Sequence, residues 1–367
     1  MRVVIDASPL LVRSAGVKNY LYHWILHLRR AAGKDAVRTF PRMERVRPLT
    51  HEGSIAGWWT TLAGLGSLAA ANYSPLPVLD WLTHGAGVFH ASVLARRPPK
   101  KARLTATIHD MTCYLMPEYH PAANLAAERS FAEVARRADA LIAVSEATKR
   151  DAVKVLGLAP EKITVIHSGI PHAYFSPDAA EVDAARKKYG LGRPYALFVG
   201  TIEPRKNVDL LLDAFESLPA SLREHYQLVV AGPAGWASHR TRARLRHVRY
   251  LGYVPETLLP GLTAGAAMFV YPSLYEGFGF PVVQAMAAGV PVITSNVSAL
   301  PEVAGDAALL VDPRSQSELH HALSRLMTSD GLRAALASEG RKRAQGFHWE
   351  DCARRSVEFF QSVAEGV

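Results

Sequence analysis

The residues with the clearest capacity for chemistry lie between Tyr271 and Gly289, YPSLYEGFGFPVVQAMAAG. The apolar run Ala267 to Val270 before them reads as a buried strand of a parallel sheet. Pro272 and Ser273 break that strand. Gly277 and Gly279 bracket Phe278 in a turn, and Pro281 opens an Ala-rich helix where proline costs little. Such a loop brings the backbone N–H groups of Gly277, Phe278, Gly279 and Phe280 to one point, at a strand's carboxyl end and a helix's positive end. Points of that kind bind phosphate or a sugar phosphate. Glu276 would repel phosphate, so its carboxylate is expected to accept hydrogen bonds from hydroxyls of the same ligand. It sits in a polar loop, and its replacement is expected to leave the fold intact. An anion cradle beside a hydroxyl acceptor points to a sugar nucleotide.

A second set of charges stands at Arg205 and Lys206, in the segment GTIEPRKN that follows the apolar strand Tyr195 to Val199. The loop places both cations beside Gly200 at the strand's carboxyl end, where they would neutralise a diphosphate leaving group. Alone, an Arg-Lys pair is more often a solvated surface feature. No D-x-D pair follows a strand to hold a divalent ion. The two cations would then do the charge work that Mg²⁺ does elsewhere, and no metal or other cofactor is expected. His109, with Asp110 beside it, ends the strand Leu104 to Ile108, a position where open α/β sheets bind ligands. A lone histidine there is more often structural.

The elements that must position these residues alternate strand and helix in two rounds. Val3 to Ile5 is a short strand ending at Asp6. Ser14, Ala15 and Gly16 then lead into a helix with Val17, Leu21, Trp24, Ile25 and Leu28 on one face. From spacing alone, Gly16 is a tight turn into that helix. Strands follow at Val88 to Ala91, Leu104 to Ile108, Leu141 to Val144 and Ile163 to Ile166, with Ser145 as a helix N-cap. A polar, proline-marked, charged stretch ending at Pro194 reads as an interdomain linker. The alternation restarts with strands at Tyr195 to Val199, Leu228 to Ala231, His247 to Leu251 and Pro291 to Thr294, and helices over 315–328, 330–345 and from Trp349 to Ala364.

YEGFGFPVVQAMAAGVPVITSN, flanked by LGYVPETLL and LPEVAGDAALLVDP, resembles the donor-binding region of retaining glycosyltransferases of family 4, nearest to their bacterial mannosyltransferase-like branch. The resemblance covers nearly all of the second half and scattered points of the first. It implies an α/β fold of GT-B type, two Rossmann-like doubly wound domains facing a cleft. The implied parts are an acceptor-side domain over 1–175, a linker over 176–194, a donor-binding domain over 195–348 and a terminal helix over 349–367 that returns to the first domain. The family's E-x7-E motif reads Glu276-x7-Gln284 here, a glutamine standing for the second glutamate. By carry-over Glu276 contacts the donor sugar and Gln284 the ribose. Gly16 and His109 face the cleft, Arg205 and Lys206 match the family's PRKN, and Tyr253 with Val254 meets the base. The implied reaction is metal-independent transfer of a sugar, with mannose and GDP-mannose favoured, to a glycan or lipid-linked oligosaccharide. UDP-sugars and dTDP-rhamnose stay open as donors. In this family retention implies front-face attack assisted by the departing phosphate. Gln284 keeps a second reading in play, a catalytically silent sugar-nucleotide-binding protein.

With 367 residues the chain has room for two ordinary domains, and 49% apolar against 20% charged residues fits a soluble globular protein. Its net charge of +9 favours an acidic partner: nucleotide phosphates, an anionic membrane or nucleic acid. Two distant cysteines, Cys113 and Cys352, suit a reducing cytoplasm, and MRVVIDAS reads as a first strand and not a signal peptide. Arg38, Arg42, Arg45 and Arg47 form a basic run, and Gly53 to Leu79 has no charged residue. Internal glycines with Pro75 and Pro77 make that stretch a poor membrane span. It reads either as a helical hairpin packed on the first sheet or, with Trp58, Trp59 and Trp81, as a peripheral contact with the inner face of an anionic membrane. Gly64 to Ala69 matches G-x-G-x-x-A without a preceding strand, so the dinucleotide reading fails. Arg240, Arg242, Arg244, Arg246 and Arg249 carry the best nucleic-acid signal, but no nucleic-acid-binding motif accompanies them and a solvated helix face is expected.

Overall fold

The computed structural model describes residues 2–14, 16–43, 47–236 and 239–366. Ala15 and Arg45, drawn above into the first loop and the first basic run, lie outside the described residues. The chain divides into two compact units, residues 1–169 with 349–367, and residues 170–348.

The first unit is built on six short strands: β1 (Val3–Asp6), β2 (Val37–Phe40), β3 (Val88–Ala91), β4 (Arg103–Ile108), β5 (Ala140–Ala143) and β6 (Ile163–Val165). They pair in parallel in the order β2-β1-β3-β4-β5-β6. The residues of β1 and β3 are all buried, as in a sheet covered on both faces. The strand order reverses direction between β1 and β3, which makes their carboxyl ends the switch point of the sheet. The helices are α1 (Gly16–Ala32), α2 (Trp58–Tyr73), α3 (Val78–Leu82), α4 (Thr112–Leu115), α5 (Ala122–Arg137) and α6 (Glu146–Leu156). Ser145 caps α6 by accepting from the Thr148 amide, and Gly157 closes it in the left-handed conformation.

Helix α2 buries only Gly64, Leu68 and Ala71. A Cβ on Gly64 would lie 2.3 Å from Pro41 Cγ, so the glycine in the false dinucleotide pattern serves close packing. Helix α3 buries Leu79, and the outward side of the two helices leaves Trp58, Trp59, Leu62, Tyr73, Trp81 and Leu82 exposed. Among the described residues no helix is long and apolar enough to cross a membrane.

In the second unit α7 (Ala179–Tyr189) comes first, and it corrects the linker expected over 176–194. Asp178 caps it through the Ala180 amide, and Gly190 ends it in the left-handed region. Strands β7 (Tyr195–Val199), β8 (Gln227–Ala231), β9 (Arg249–Gly252), β10 (Met268–Tyr271), β11 (Val292–Ser295) and β12 (Ala308–Val311) follow. They form a second parallel sheet in the order β12-β11-β10-β7-β8-β9. The helices are α8 (Val208–Glu216), α9 (Ala220–His225), α10 (His239–Arg244), α11 (Leu259–Ala264), α12 (Phe280–Ala287), α13 (Leu300–Ala304), α14 (Gln316–Thr328) and α15 (Asp330–Ala344). Helix α7 packs on α11 so closely that a Cβ on Gly261 would sit 2.5 Å from the Glu181 carbonyl oxygen. The linker reading failed because charge and flanking prolines look the same in a solvated helix and in a tether.

Strand β9 begins two residues later than expected, because Leu245–His247 forms a helical turn. Two arginines of the second basic run are tied down within its own unit. Arg244 lies 3.5, 2.7 and 3.1 Å from the carboxylates of Asp209, Asp213 and Glu216. Arg249 donates to the Tyr189 carbonyl. The last helix, α16 (Trp349–Glu365), belongs to the first unit and packs on α1, where Trp24 Nε1 donates to Ser356 Oγ at 2.9 Å.

Candidate active site

In the second unit β10 lies beside β7, and their carboxyl-end loops meet. The loop after β7 carries Glu203, Arg205, Lys206 and Asn207; the loop after β10 carries Ser273 and Glu276. Asn207 adopts φ +57°, which asparagine tolerates better than most residues. Its side-chain amide donates to the Pro272 and Pro313 carbonyls at 3.1 and 2.7 Å. The Leu274 amide donates back to the Arg205 carbonyl at 2.8 Å. The two loops are thereby held in register.

Four charged groups close on one another in this seam. Glu276 Oε1 accepts from Lys206 Nζ at 2.5 Å and from Ser273 Oγ at 2.6 Å, and Oε2 lies 3.3 Å from Arg205. Arg205 also donates to Glu203 Oε1 at 2.7 Å and to the Tyr275 carbonyl at 2.8 Å. Lys206 donates as well to the Tyr271 hydroxyl at 2.6 Å. Glu276 is only 7% exposed, so it is not the solvated loop residue that the sequence implies. Burial by itself would raise its carboxyl, but the charges of Lys206 and Arg205 and the bonds from Lys206 and Ser273 outweigh that and hold it down at about 2. Burial and the neighbouring Arg205 lower Lys206, with Glu276 acting against them.

Two consequences follow for chemistry. The quartet of Glu203, Arg205, Lys206 and Glu276 is formally neutral, so the cations expected to await a diphosphate already face carboxylates. A carboxylate offers about four acceptor positions, and the contacts above occupy three of Glu276's, leaving room for a ligand hydroxyl. Glu203, Tyr271 and Ser273 were not singled out from the sequence. The alternation of acid and base in EPRK was the one available signal for Glu203.

The remaining expected residues of this unit sit around the same sheet edge. Gly279 takes φ +100° and caps α12, with Pro281 in its first turn and Gly277 and Phe278 buried before it. Gln284 is buried on α12, and its side chain makes no hydrogen bond to a described residue. Gly200 meets Gly232 of the loop after β8, where a Cβ on Gly232 would lie 1.9 Å from the Gly200 carbonyl oxygen. Val254 is buried and Tyr253 partly exposed after edge strand β9, and neither is hydrogen-bonded through its side chain to the quartet.

Gly16 and His109 belong to the first unit. A Cβ on Gly16 would meet nothing within 4 Å, so packing does not demand glycine there. His109 follows β4 and its ring meets the edge of Tyr20 at 4.9 Å between centroids. Burial pushes the imidazole down to about 4 against the pull of Asp110, so it is neutral near pH 7.

Two parallel doubly wound units, with a charged seam at the carboxyl edge of the second, define a two-domain Rossmann-like fold of GT-B type. Residues 16–174 match the family model described as Glycosyltransferase Family 4, and residues 181–343 match Glycosyl transferases group 1. The chain belongs to the family 4-type glycosyltransferases. It is 34% identical to O-antigen chain mannosyltransferase B of Escherichia coli over 290 residues, 77% of this chain and 74% of the relative. A D-inositol 3-phosphate glycosyltransferase of a Nocardioides species is 30% identical over 264 residues, 66% of this chain and 57% of the relative. The fold is similar to sucrose-phosphate synthase of Thermosynechococcus elongatus, with a TM-score of 0.76 over 100% of both chains at 20% identity.

Proposed function

We propose that this glycosyltransferase is a retaining, metal-independent mannosyltransferase that takes mannose from GDP-mannose and adds it to a glycan or lipid-linked oligosaccharide. The observation that carries the reading is the buried Glu276, held as an anion by Lys206, Arg205 and Ser273 at the mouth of the β10–α12 loop. The choice of mannose is supported by the name of the relative at 34% identity. In this reading Glu276 accepts a hydroxyl of the donor sugar, and the loop Gly277–Phe280 with Gly200 lies along the donor. Gln284, Tyr253 and Val254 serve the nucleoside.

Retention by double displacement needs a nucleophile on the ring face opposite the leaving group. A carboxylate held at about 2 and bonded at both oxygens is a weak nucleophile, which favours the front-face route. There the bond from the anomeric carbon to phosphate breaks, the acceptor oxygen bonds on the same face, and the acceptor's proton passes to the departing phosphate. Lys206 and Arg205 stabilise the charge developing on that phosphate as their hold on Glu276 and Glu203 is shared with it.

A thermal-shift screen against GDP-mannose, UDP-glucose and dTDP-rhamnose tests the donor, since a ligand at 100 times its Kd stabilises by about 2.7 kcal/mol. GDP-mannose is expected to give the largest rise. A larger rise with another sugar nucleotide reassigns the donor, and no rise with any of them overturns the reading. Turnover is expected to survive EDTA; loss that Mg²⁺ or Mn²⁺ restores would contradict metal independence. Gln284, standing where the family's motif has its second glutamate, is the observation behind the silent-binder alternative. Donor binding without transfer or hydrolysis would establish it.

The reading also places the enzyme at the inner face of an anionic membrane, through the outward side of α2 and α3. Trp58, Trp59 and Trp81 are 62%, 76% and 60% exposed. The basic loop Arg96, Arg97, Lys100 and Lys101 is tied to the same helices: Arg97 donates to the Ser74 carbonyl at 2.7 Å, and the Lys100 amide to Asp80 at 2.9 Å. Amphipathic rings beside lysine and arginine complement a charged bilayer surface.

A further inference from the structure

The loop between β11 and α13 reaches the active seam from a third side. Strand β11 lies beside β10, and Thr294 Oγ1 donates to the Tyr271 carbonyl at 2.9 Å. Past the end of β11 the Asn296 amide donates to the Val311 carbonyl at 2.9 Å, which fixes the start of the loop to β12. The far end of the loop then grips the main chain of Glu276 on both sides. Ser298 Oγ accepts from the Glu276 amide at 2.9 Å, and the Ala299 amide donates to the Glu276 carbonyl at 3.3 Å. The Ser298 hydroxyl proton goes to the Val297 carbonyl at 2.7 Å, so an oxygen lone pair faces the Glu276 amide.

Ser298 does this from a conformation that serine disfavours. Its φ is +56°, in the left-handed region. Among the described residues only Asn207 and Ser298 take a positive φ without being glycine. Glycine adopts that conformation with no Cβ penalty, and asparagine more readily than most residues. A turn into α13 alone would therefore be served better by glycine. What serine has and glycine lacks is the hydroxyl. That hydroxyl is committed to the residue whose carboxylate meets Lys206, Arg205 and Ser273. Backbone strain of this kind persists where the surrounding contacts hold it, and it collects at functional sites. Both strained residues brace loops of the seam, Asn207 through the Pro272 and Pro313 carbonyls and Ser298 through Glu276.

We propose that Ser298 is a positioning residue for the transfer reaction: by holding the Glu276 amide it sets where the carboxylate meets the donor sugar. The proposal rests on the reading of Glu276 as the acceptor of a sugar hydroxyl. A misplacement of about 1 Å can cost about 100-fold in rate. Losing one of the two main-chain holds is expected to cost about tenfold, because Ala299, Lys206 and Ser273 still restrain Glu276.

Ser298→Gly and Ser298→Ala separate the hydroxyl from the turn. Both remove the acceptor, but only glycine relieves the strain, so Ser298→Gly is expected to have the higher Tm of the two. Release of GDP from GDP-mannose, with water as the acceptor, is expected to fall in kcat by about tenfold in both variants. GDP has no sugar for Glu276 to meet, so its affinity by calorimetry is expected to stay within about twofold of wild type. Rates that follow Tm, near wild type in Ser298→Gly and low in Ser298→Ala, would make Ser298 a turn residue only and overturn the proposal. So would wild-type kcat in both variants, or a GDP affinity that falls in parallel with kcat. A crystal structure of Ser298→Gly supplies a measurement that needs no donor. Glu276 is expected to have shifted away from Lys206 and Arg205, and an unmoved Glu276 overturns the proposal. Should wild type neither bind nor cleave GDP-mannose while Glu276 moves in the variant, the donor reading falls and the positioning of Glu276 by Ser298 stands.

Discussion

Glu276 shows how far one side chain's burial changes what its loss should do. Replacing it by glutamine keeps the shape and removes the charge, leaving Lys206 and Arg205 with Glu203 as the remaining carboxylate of the quartet. Breaking a buried pair from one side costs about 3–5 kcal/mol. Glu276→Gln is therefore expected to lose transfer and also to unfold at lower denaturant, contrary to the intact fold implied by a polar loop. Initial rates and a urea titration separate the two effects, and unchanged stability would show that the pair is not strongly coupled. Glu128 makes the opposite prediction. Its folded carboxyl is raised from 4.5 to about 8, so the folded protein binds its proton more tightly than the unfolded chain does. The stability this contributes is fully present below pH about 4.5 and is lost as pH rises through about 8. Glu128→Gln should match wild type in Tm near pH 5 and exceed it near pH 9. A gap that does not grow with pH would mean the carboxyl titrates normally.

At the scale of elements, the active seam depends on loops that touch through backbone. Gly232, at φ +137°, lets the loop after β8 approach the Gly200 carbonyl of the loop that carries Arg205 and Lys206. A side chain there strains the backbone by about 1–3 kcal/mol and must also push the two loops apart. Gly232→Ala should lower Tm and weaken donor binding together, read in one thermal-shift series with and without donor. Gly16 is the contrast: a Cβ at the start of α1 meets open space. Gly16→Ala should leave Tm alone, so any loss of donor affinity there would report contact with ligand and not misfolding.

On the whole molecule, a net charge of +9 acts together with one exposed face of the first unit. Vesicles rich in phosphatidylserine or phosphatidylglycerol should sediment the protein at low salt. Release is expected near 1 M salt, where the screening length falls to about 3 Å. Trp58→Ala with Trp59→Ala should weaken that binding without changing Tm, because both rings are largely solvated already. Equal binding to neutral vesicles would remove the electrostatic half of the argument, and no binding to either would remove the membrane contact.

What the sequence by itself determined was local. Val88 to Ala91 is a short run between breakers, apolar but for His90, and forms β3 at those residues; Ser145 and Gly157 carry the cap and stop of α6; Gly279 and Pro281 set the entry to α12. Periodicity, capping and turn chemistry act over a few residues, so they are legible without a fold. The same locality misread α7, whose charged face resembles a tether until α11 is seen against it. Only the tertiary structure decided the partners of the charges. Lys206 and Glu276 are 70 residues apart and meet because β10 was laid beside β7, an adjacency that skips two strands in sequence. Asp6, Asp110 and Glu128 converge for a similar reason, brought by two strand ends and a helix to the switch point of the first sheet. The surroundings that the fold sets then determine how those carboxyls titrate, downward where the charges of Lys206 and Arg205 outweigh burial at Glu276, and upward where burial and the charge of Asp110 act together on Glu128.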